Sequence, residues 1–371
     1  MVLTNFAPDP VFDLPAWRGQ RQATFRFDLM NAVTGQSMGT IHPLRTGSIT
    51  HDVSRMTKRQ LSIGLGVADV AAINPIQERI RVFMVLPDGQ EYPLGVFMFT
   101  ATTEAVFTSG NLGDYTLSDE MFLVDQQISE AIGRPEGDPN ISTVPSLLRR
   151  TLEGLPIRYV ADASSFTTDQ SWGIGTTRGQ ILEQLALAGD WFSPWFNNTG
   201  LMKFIRAFEP ADQIPDFDWD AGFQVLRSGI TKTTNILTIP DRFIITGNAP
   251  TASTDFNGDP VSTGSVAIVG SYDVPSSFPY SRLNRGFSIV STQSMAVYST
   301  GQANAVARNI GIREAVYETL NISTAPDPRH DSYNVVHWQG GNWLELSWSM
   351  ALIEGGEMQH VLRRAYRDGN P

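Results

Sequence analysis

The sequence predicts a β-rich α+β protein, and three observations carry that prediction. Gly 32 and Pro 22 stand beside 20 Phe and 8 Trp in 371 residues, a mixture that favours many short strands joined by turns. Short alternating apolar runs fill residues 23–119 and return after 222. Helical segments are confined to a short turn at 68–73, three runs in the middle of the chain and one near its end.

Residues 1–20 hold three prolines and no periodicity, and read as an extended N-terminal arm or a frayed terminus. Residues 23–33, 48–55 and 59–65 carry strand patterns, and 68–73 a short helical turn. Residues 79–86 and 92–101 flank Pro87-Asp88-Gly89-Gln90, a strong hairpin signal, and 105–108 and 115–119 add two strands. About seven antiparallel strands in roughly 100 residues predict a small barrel or sandwich over 21–119.

An α/β insert follows over 120–210. Residues 122–132 are predicted helical and 133–140 an exposed loop. Thr143 and Gly154 bound one helix as N-cap and stop, and 157–161 is a strand. A second helix spans 178–188, stopped by Gly189, and residues 191–197 and 201–208 form a hairpin. From 211 to 371 strands dominate again, at 222–245, 266–273 and 287–297. Residues 246–263, rich in Pro, Gly, Asn, Asp and Ser, are predicted to be a flexible loop. A helical element over 300–320 starts at Ser299, with Gln302 completing a capping box, and places Ala303, Val306, Ile310, Tyr317 and Leu320 on one face. Strands at 333–339, 343–353 and 358–365 follow, so the helix is expected to dock beside an antiparallel meander.

Composition restricts function. A net charge of −11 argues against a non-specific grip on nucleic acid, leaving Arg55, Lys58 and Arg59 as the nearest thing to a basic strip. The absence of cysteine removes disulfides, thiolate metal sites and cysteine nucleophiles. There is no signal-peptide pattern at the N-terminus and no apolar run long enough to span a bilayer.

No motif carries catalysis, and no catalytic, cofactor-binding or metal residue is assigned. Asp216, Asp218 and Asp220 have the spacing of a calcium loop, but Ala221 and Arg227 occupy the positions that need Gly and Glu, so a solvated acidic strand face is the simpler reading. Residues 173–179 resemble a phosphate loop without meeting either nucleotide-binding pattern, and a turn capped by Thr176 or Thr177 explains them. Asp327, Arg329, His330 and Asp331, with His337 beyond, form the densest polar cluster; they lie in a connection, and no metal-ligand spacing surrounds any of the five histidines. Trp191 and Trp195 could stack on a sugar, against a buried hairpin as the default. Paired carboxylates drawn from Asp216, Asp218 or Asp327 would be needed for a hydrolase, and 38 acidic residues supply such pairs by chance.

A family resemblance rests on particular residues. Trp172, Gly175, Thr176, Ile181, Leu182, Leu185, Ala186 and Gly189, followed by the Asn198-Thr199-Gly200 turn, resemble the insert of phage tail-tip hub proteins. Residues 52–62, 79–84 and 93–100 are similar to the opening strands of minor tail proteins of long-tailed phages, and 327–331, 335–338 and 362–364 to the second barrel of such hubs. The resemblance implies two small antiparallel β-barrel domains, 21–119 and 211–371, with α/β elements between them. It further implies a homotrimeric ring of pseudo-sixfold symmetry in the virion, assembled in the host cytoplasm. That ring would join the tail tube and distal tail protein to spike or fibre parts, beside the tape-measure protein, and close or open the DNA channel. No cofactor, stable membrane association or specific nucleic-acid binding is implied. No lysozyme-like or peptidase domain precedes Pro371, so wall degradation is expected of another protein. A carbohydrate-binding tail or surface module is the alternative, and a glycan hydrolase a more distant one.

Overall fold

The computed structural model describes residues 22–66, 69, 73–100, 112–133, 143–166, 171–220, 225–234, 237–254, 260–295, 297, 299–315 and 318–364. The expected arm at 1–20, the strand at 105–108 and most of the turn at 68–73 and the loop at 133–140 lie outside these residues, as does Tyr317.

The first half is built from β1 (Thr24–Asn31), β2 (Ser37–Ile41), β3 (Arg45–Asp52), β4 (Arg59–Gly66), β5 (Glu78–Val85), β6 (Glu91–Phe99) and β7 (Leu112–Ser118). Alternation creates these strands: Ile80, Val82 and Met84 turn inward and are fully buried, each residue contributing about 1.5–3 kcal/mol of burial. The β5–β6 turn closes with Leu86 N donating to Gln90 O (2.9 Å), and Gly89 takes φ +85°, a conformation that favours glycine.

The middle of the chain holds α1 (Met121–Val124), α2 (Val144–Leu152), β8 (Tyr159–Ala161), α3 (Arg178–Ala188), β9 (Trp195–Phe196) and β10 (Met202–Phe204). Thr143 Oγ1 accepts from Ser146 N to start α2, and Thr177 with Gln180 makes a complete capping box for α3. The helix expected over 122–132 stops after Val124: Ile128 N donates to Thr176 O and Ile132 pairs with Trp172, so that stretch is spent bridging to the approach of α3.

Then come a 3-10 turn at Pro210–Asp212, β11 (Phe217–Asp218), β12 (Val225–Thr234), β13 (Arg242–Thr254), β14 (Pro260–Asp273), α4 (Arg282–Arg285), β15 (Val290–Ser294), α5 (Thr300–Glu314), β16 (Glu318–Thr324), β17 (Val335–Trp338), β18 (Gly341–Ala351) and β19 (Met358–Arg364). Three sequence expectations fail here. The flexible loop at 246–263 is instead a long β13–β14 hairpin, paired from Arg242↔Asp273 out to Thr254↔Pro260 with a bulge at Thr251/Ala252; small polar residues satisfy a backbone ladder as well as apolar ones do. Its tip, 255–259, is outside the described residues. The helix of 300–320 ends at Glu314, and Leu320 lies in β16. That helix also docks elsewhere than on the meander: Ala303, Val306, Ala307 and Ile310 pack with Phe243, Ile245 and Ile268 of the β13–β14 hairpin.

Two separate barrels are not what the pairing forms. Among the described residues thirteen strands make one sheet whose main path, β12-β16-β19-β18-β3-β4-β7-β6-β5-β1-β2, is open at both ends. Strand β18 is the reason. Its first residues pair with β17 (Val335↔Leu344), its last with β3 (Ser347↔Asp52 to Ala351↔Ser48), and β19 runs along its other side. Trp348, Met350 and Met358 therefore sit in the same core as Ile49, Leu61 and Phe97 of the first half. Two three-stranded sheets, β8-β10-β9 and β14-β13-β15, stand beside the large one. No described helix is long and apolar enough to cross a membrane.

Candidate functional site

The connection between β16 and β17 was the densest polar stretch of the sequence, and the structure places it at the junction of all three regions. From β4, Arg59 Nη2 donates to Asp331 Oδ1 at 3.0 Å; from the middle region, Trp195 Nε1 donates to the same oxygen at 3.0 Å. Arg59 also reaches Leu94 O (3.1 Å) and Asn198 Oδ1, and its guanidinium lies 5.2 Å from the Trp348 ring centroid. Asn198 Nδ2 donates to Pro328 O at 2.7 Å. On the other face of Trp348's neighbourhood, His51 stacks on that ring (5.4 Å) while its Nε2 meets Ser332 Oγ at 2.7 Å. Tyr333, at φ +60°, is sandwiched against Phe192 (4.2 Å, near-parallel), and its neighbour Val335 is buried with Leu344 and Ile312.

Burial shapes the charges of this junction. It draws Arg59 below its usual range, with Asp331 and Asp119 opposing, and raises Asp331 against the pull of Arg59. It brings Lys58 down to about 8, although Glu183 favours its charge. His51 is pushed well below the usual histidine range by burial and by Arg59 and Lys58. Of the expected basic strip Arg55 stays at the surface, whereas Lys58 and Arg59 are 2% and 1% exposed, and Lys58 Nζ donates to Ser193 Oγ at 2.6 Å. Cations used as internal fasteners cannot grip a phosphate backbone.

The remaining sequence candidates resolve into structure. Trp191 and Trp195 are 0% and 2% exposed, so neither ring offers a sugar-stacking face. Asp216 Oδ2 accepts from Val335 N (2.7 Å), Asp218 Oδ1 from Asp220 N (3.0 Å), and Asp220 from Gln339 N and Gly340 N (2.7 and 3.0 Å). These three carboxylates hold turns and a strand edge, and among the described residues they do not converge on a common ion. In the phosphate-like loop, Thr177 caps α3, Thr176 O accepts from Ile128 N and Arg178 N donates to Gln126 O, so its backbone is already engaged. Asp327 is held by Arg329 at 2.6 and 3.0 Å; burial pushes its carboxyl up, but the Arg329 hydrogen bonds together with the nearby charges of His330 and Arg329 keep it below the usual range.

The same connection brings together three buried groups that no sequence spacing revealed. His330 Nδ1 lies 2.8 Å from Glu345 Oε2, and His360 Nδ1 lies 2.5 Å from Glu345 Oε1. All three residues are 2% exposed or less, and their ligand atoms fall within 4.8 Å of one another. Glu345 was the legible clue: it is the single charge in the apolar run Trp343-Leu344-Glu345-Leu346. His337, expected near the cluster, is instead bonded to Asn342 Oδ1 (3.0 Å) on the β17–β18 turn.

Comparison of the sequence with protein-family models and with curated proteins finds no match. Comparison of the fold does. A tail protein from Neisseria meningitidis superposes with a TM-score of 0.57 at 14% identity, over 94% of this chain and 98% of that one. The 43 kDa tail protein of prophage MuSo2 from Shewanella oneidensis gives 0.57 at 14% identity, over 92% and 98%. A prophage tail protein from Listeria monocytogenes gives 0.54 at 8% identity, over 92% and 95%. The chain has, along nearly its whole length, the fold of phage tail proteins.

Proposed function

We propose that the chain is a structural protein of the virion, the homotrimeric hub of a phage tail tip or baseplate. The observation that carries this reading is the extent of the likeness: three tail proteins share the fold over 92–94% of this chain and 95–98% of their own, which favours equivalent whole proteins over a shared module. In this reading 21–119 and 211–371 are the two hub modules, and 120–210 is the insert between them. Three copies would form a ring that adapts a sixfold tail tube to threefold spike or fibre parts and closes or opens the DNA channel.

Several features support an assembled state. Among the described residues the large sheet ends in β2 and β12, and an edge strand with no partner there suits pairing with another copy. Val266 and Val269 of β14 are each 55% exposed, and Met38 of β2 likewise. The fastening of three regions through Arg59 and Asp331 suits a subunit that must transmit load without flexing. Trp191 and Trp195 are buried and Asp327 is held by Arg329, which supports a structural role over a carbohydrate-binding one. Partners in this reading are two further copies, the distal tail or tail-tube protein, the tape-measure protein, and spike or fibre proteins, in a virion assembled in the host cytoplasm.

Light scattering on the purified full chain tests the assembly. The hub reading expects three times the 40.8 kDa chain mass, alone or once the neighbouring tail proteins are added. A chain that stays at one mass under both conditions and binds none of those proteins would remove it.

A further inference from the structure

The His330–Glu345–His360 cluster gathers two imidazole nitrogens and one carboxylate in the interior. His360 Nδ1 lies 2.5 Å from Glu345 Oε1 and His330 Nδ1 lies 2.8 Å from Glu345 Oε2. All three residues are buried, and their ligand atoms fall within 4.8 Å of one another. On the far side of its ring, His360 Nε2 is 2.8 Å from Thr324 Oγ1.

We propose that His330 Nδ1, His360 Nδ1 and the Glu345 carboxylate bind one divalent transition-metal ion, with zinc the best match. Two imidazole nitrogens and a carboxylate are the borderline-to-hard donors that zinc takes at about 2.0–2.2 Å. Donor atoms at those distances from a tetrahedral ion sit about 3.3–3.6 Å apart, so the present 2.5 and 2.8 Å separations would open by about 0.5–1 Å on binding. The carboxylate spanning both oxygens would complete fourfold coordination with no open position, which makes the site structural.

The surroundings are those of a built site. Thr324 Oγ1 holds the ring orientation of His360 through the nitrogen remote from the ion, and would accept from Nε2–H of a ring bound through Nδ1, the usual supporting bond of a metal-bound histidine. A β-bulge between Glu345 and Ser347 interrupts β18 where an acidic side chain must turn into the interior. The Phe217 ring lies flat against His330 (4.0 Å) and the Trp219 ring meets His360 edge-on (5.0 Å), keeping water out. Asp327 is outside the donor set because Arg329 occupies it. The ion would tie the β16–β17 connection, which carries His330, to β18 and β19, and so hold Asp331 one residue on in place for Arg59. None of this depends on the role of the protein in a tail.

The full chain, purified without a histidine tag and dialysed against metal-free buffer, is the material for the test. Elemental analysis is expected to find about one zinc per chain. Chelation should lower the thermal midpoint by several degrees, and one equivalent of zinc should restore it. Cobalt(II) in place of zinc should give the visible absorption of a four-coordinate nitrogen and oxygen site. Glu345→Gln and His360→Gln should abolish metal retention; because either could misfold, Thr324→Val, which removes only the supporting acceptor, should weaken zinc binding about 10–100-fold in a folded chain. The proposal is overturned if the folded wild-type chain holds less than a tenth of an equivalent and its midpoint ignores added zinc, manganese and cobalt, the result expected of a triad held by hydrogen bonds alone. Metal retained at full stoichiometry by folded Glu345→Gln would equally overturn it.

Discussion

Arg59 and Asp331 stand 272 positions apart in the chain and meet at 3.0 Å in its interior. Around that ion pair, Trp195 and Asn198 from the middle region and Trp348 from β18 close the remaining faces. Removing one partner of a buried pair strands the other charge in a dry interior, which costs about 3–5 kcal/mol. Asp331→Ala and Arg59→Met should each lower stability by that order, read from urea denaturation. The double variant should be less destabilised than the sum of the singles, since residues in contact are not additive. Fully additive losses would show that the pair is not the fastener of the three regions.

Trp195 contributes through its indole N–H, 3.0 Å from Asp331 Oδ1, and through an edge contact with Tyr333 at 5.3 Å. Trp195→Phe keeps much of the packing and loses the donor, so the expected loss is about 1–3 kcal/mol. Glycan arrays probed with wild type and variant should give the same profile, because a ring 2% exposed cannot present a stacking face. A glycan signal that vanishes in a folded Trp195→Phe chain would contradict the burial of that ring.

Two glycines set how closely α5 lies on the β13–β14 hairpin. A Cβ at Gly311 would come within 2.5 Å of the Tyr272 ring, and one at Gly270 within 2.4 Å of the Ala303 backbone. Helix propensity alone would reward Gly311→Ala by about 1 kcal/mol. Overpacking costs about 1–3 kcal/mol, so Gly311→Ala should be neutral to destabilising, and Gly270→Ala, which meets backbone, clearly the worse of the two. Thermal midpoints of the two variants measure the order directly.

Buried titrating groups near the junction give stability a definite pH dependence. Burial raises Glu120 from 4.5 to about 7, against the opposing charge of Arg79. Between those values the folded chain holds a proton that the unfolded chain has released, so this group's contribution declines as pH rises, and its full cost is present above about pH 7. Lys58 behaves in the opposite sense: burial brings it from 10.5 to about 8, so its cost is present below pH 8 and fades towards 10.5. Glu120→Gln, which cannot ionise, should therefore gain on wild type between pH 5 and pH 8, by about 3 kcal/mol at most. A gap between the two proteins that stays constant over that range would show that Glu120 ionises normally in the folded chain.

Local structure was legible in the sequence where one short segment decides it. Of the two expected caps for α3, Thr176 or Thr177, it is Thr177 that caps it; Thr143 starts α2, Ser299 starts α5, and the residues at 87–90 make the β5–β6 turn. What was not legible depends on partners far along the chain. The apolar face of α5 was plain, yet nothing local chooses the hairpin at 242–273 over the meander after it. Polar residues in that hairpin carry the composition of a loop, and only the facing strand makes them a ladder. Residues 122–132 have helical composition but are needed to bridge to Thr176 and Trp172. Asp331 and His330 were singled out as polar residues in a turn, whereas Glu345 and His360, each separated by 15 positions from the next member of the cluster, become neighbours only when β18 and β19 pair.

The hub reading stands or falls most directly on symmetry. Negative-stain electron microscopy of the purified chain, alone and mixed with its neighbouring tail proteins, should yield class averages of a threefold ring with six lobes around a central opening. Single globular particles in both preparations, with no ring at any concentration, would contradict it.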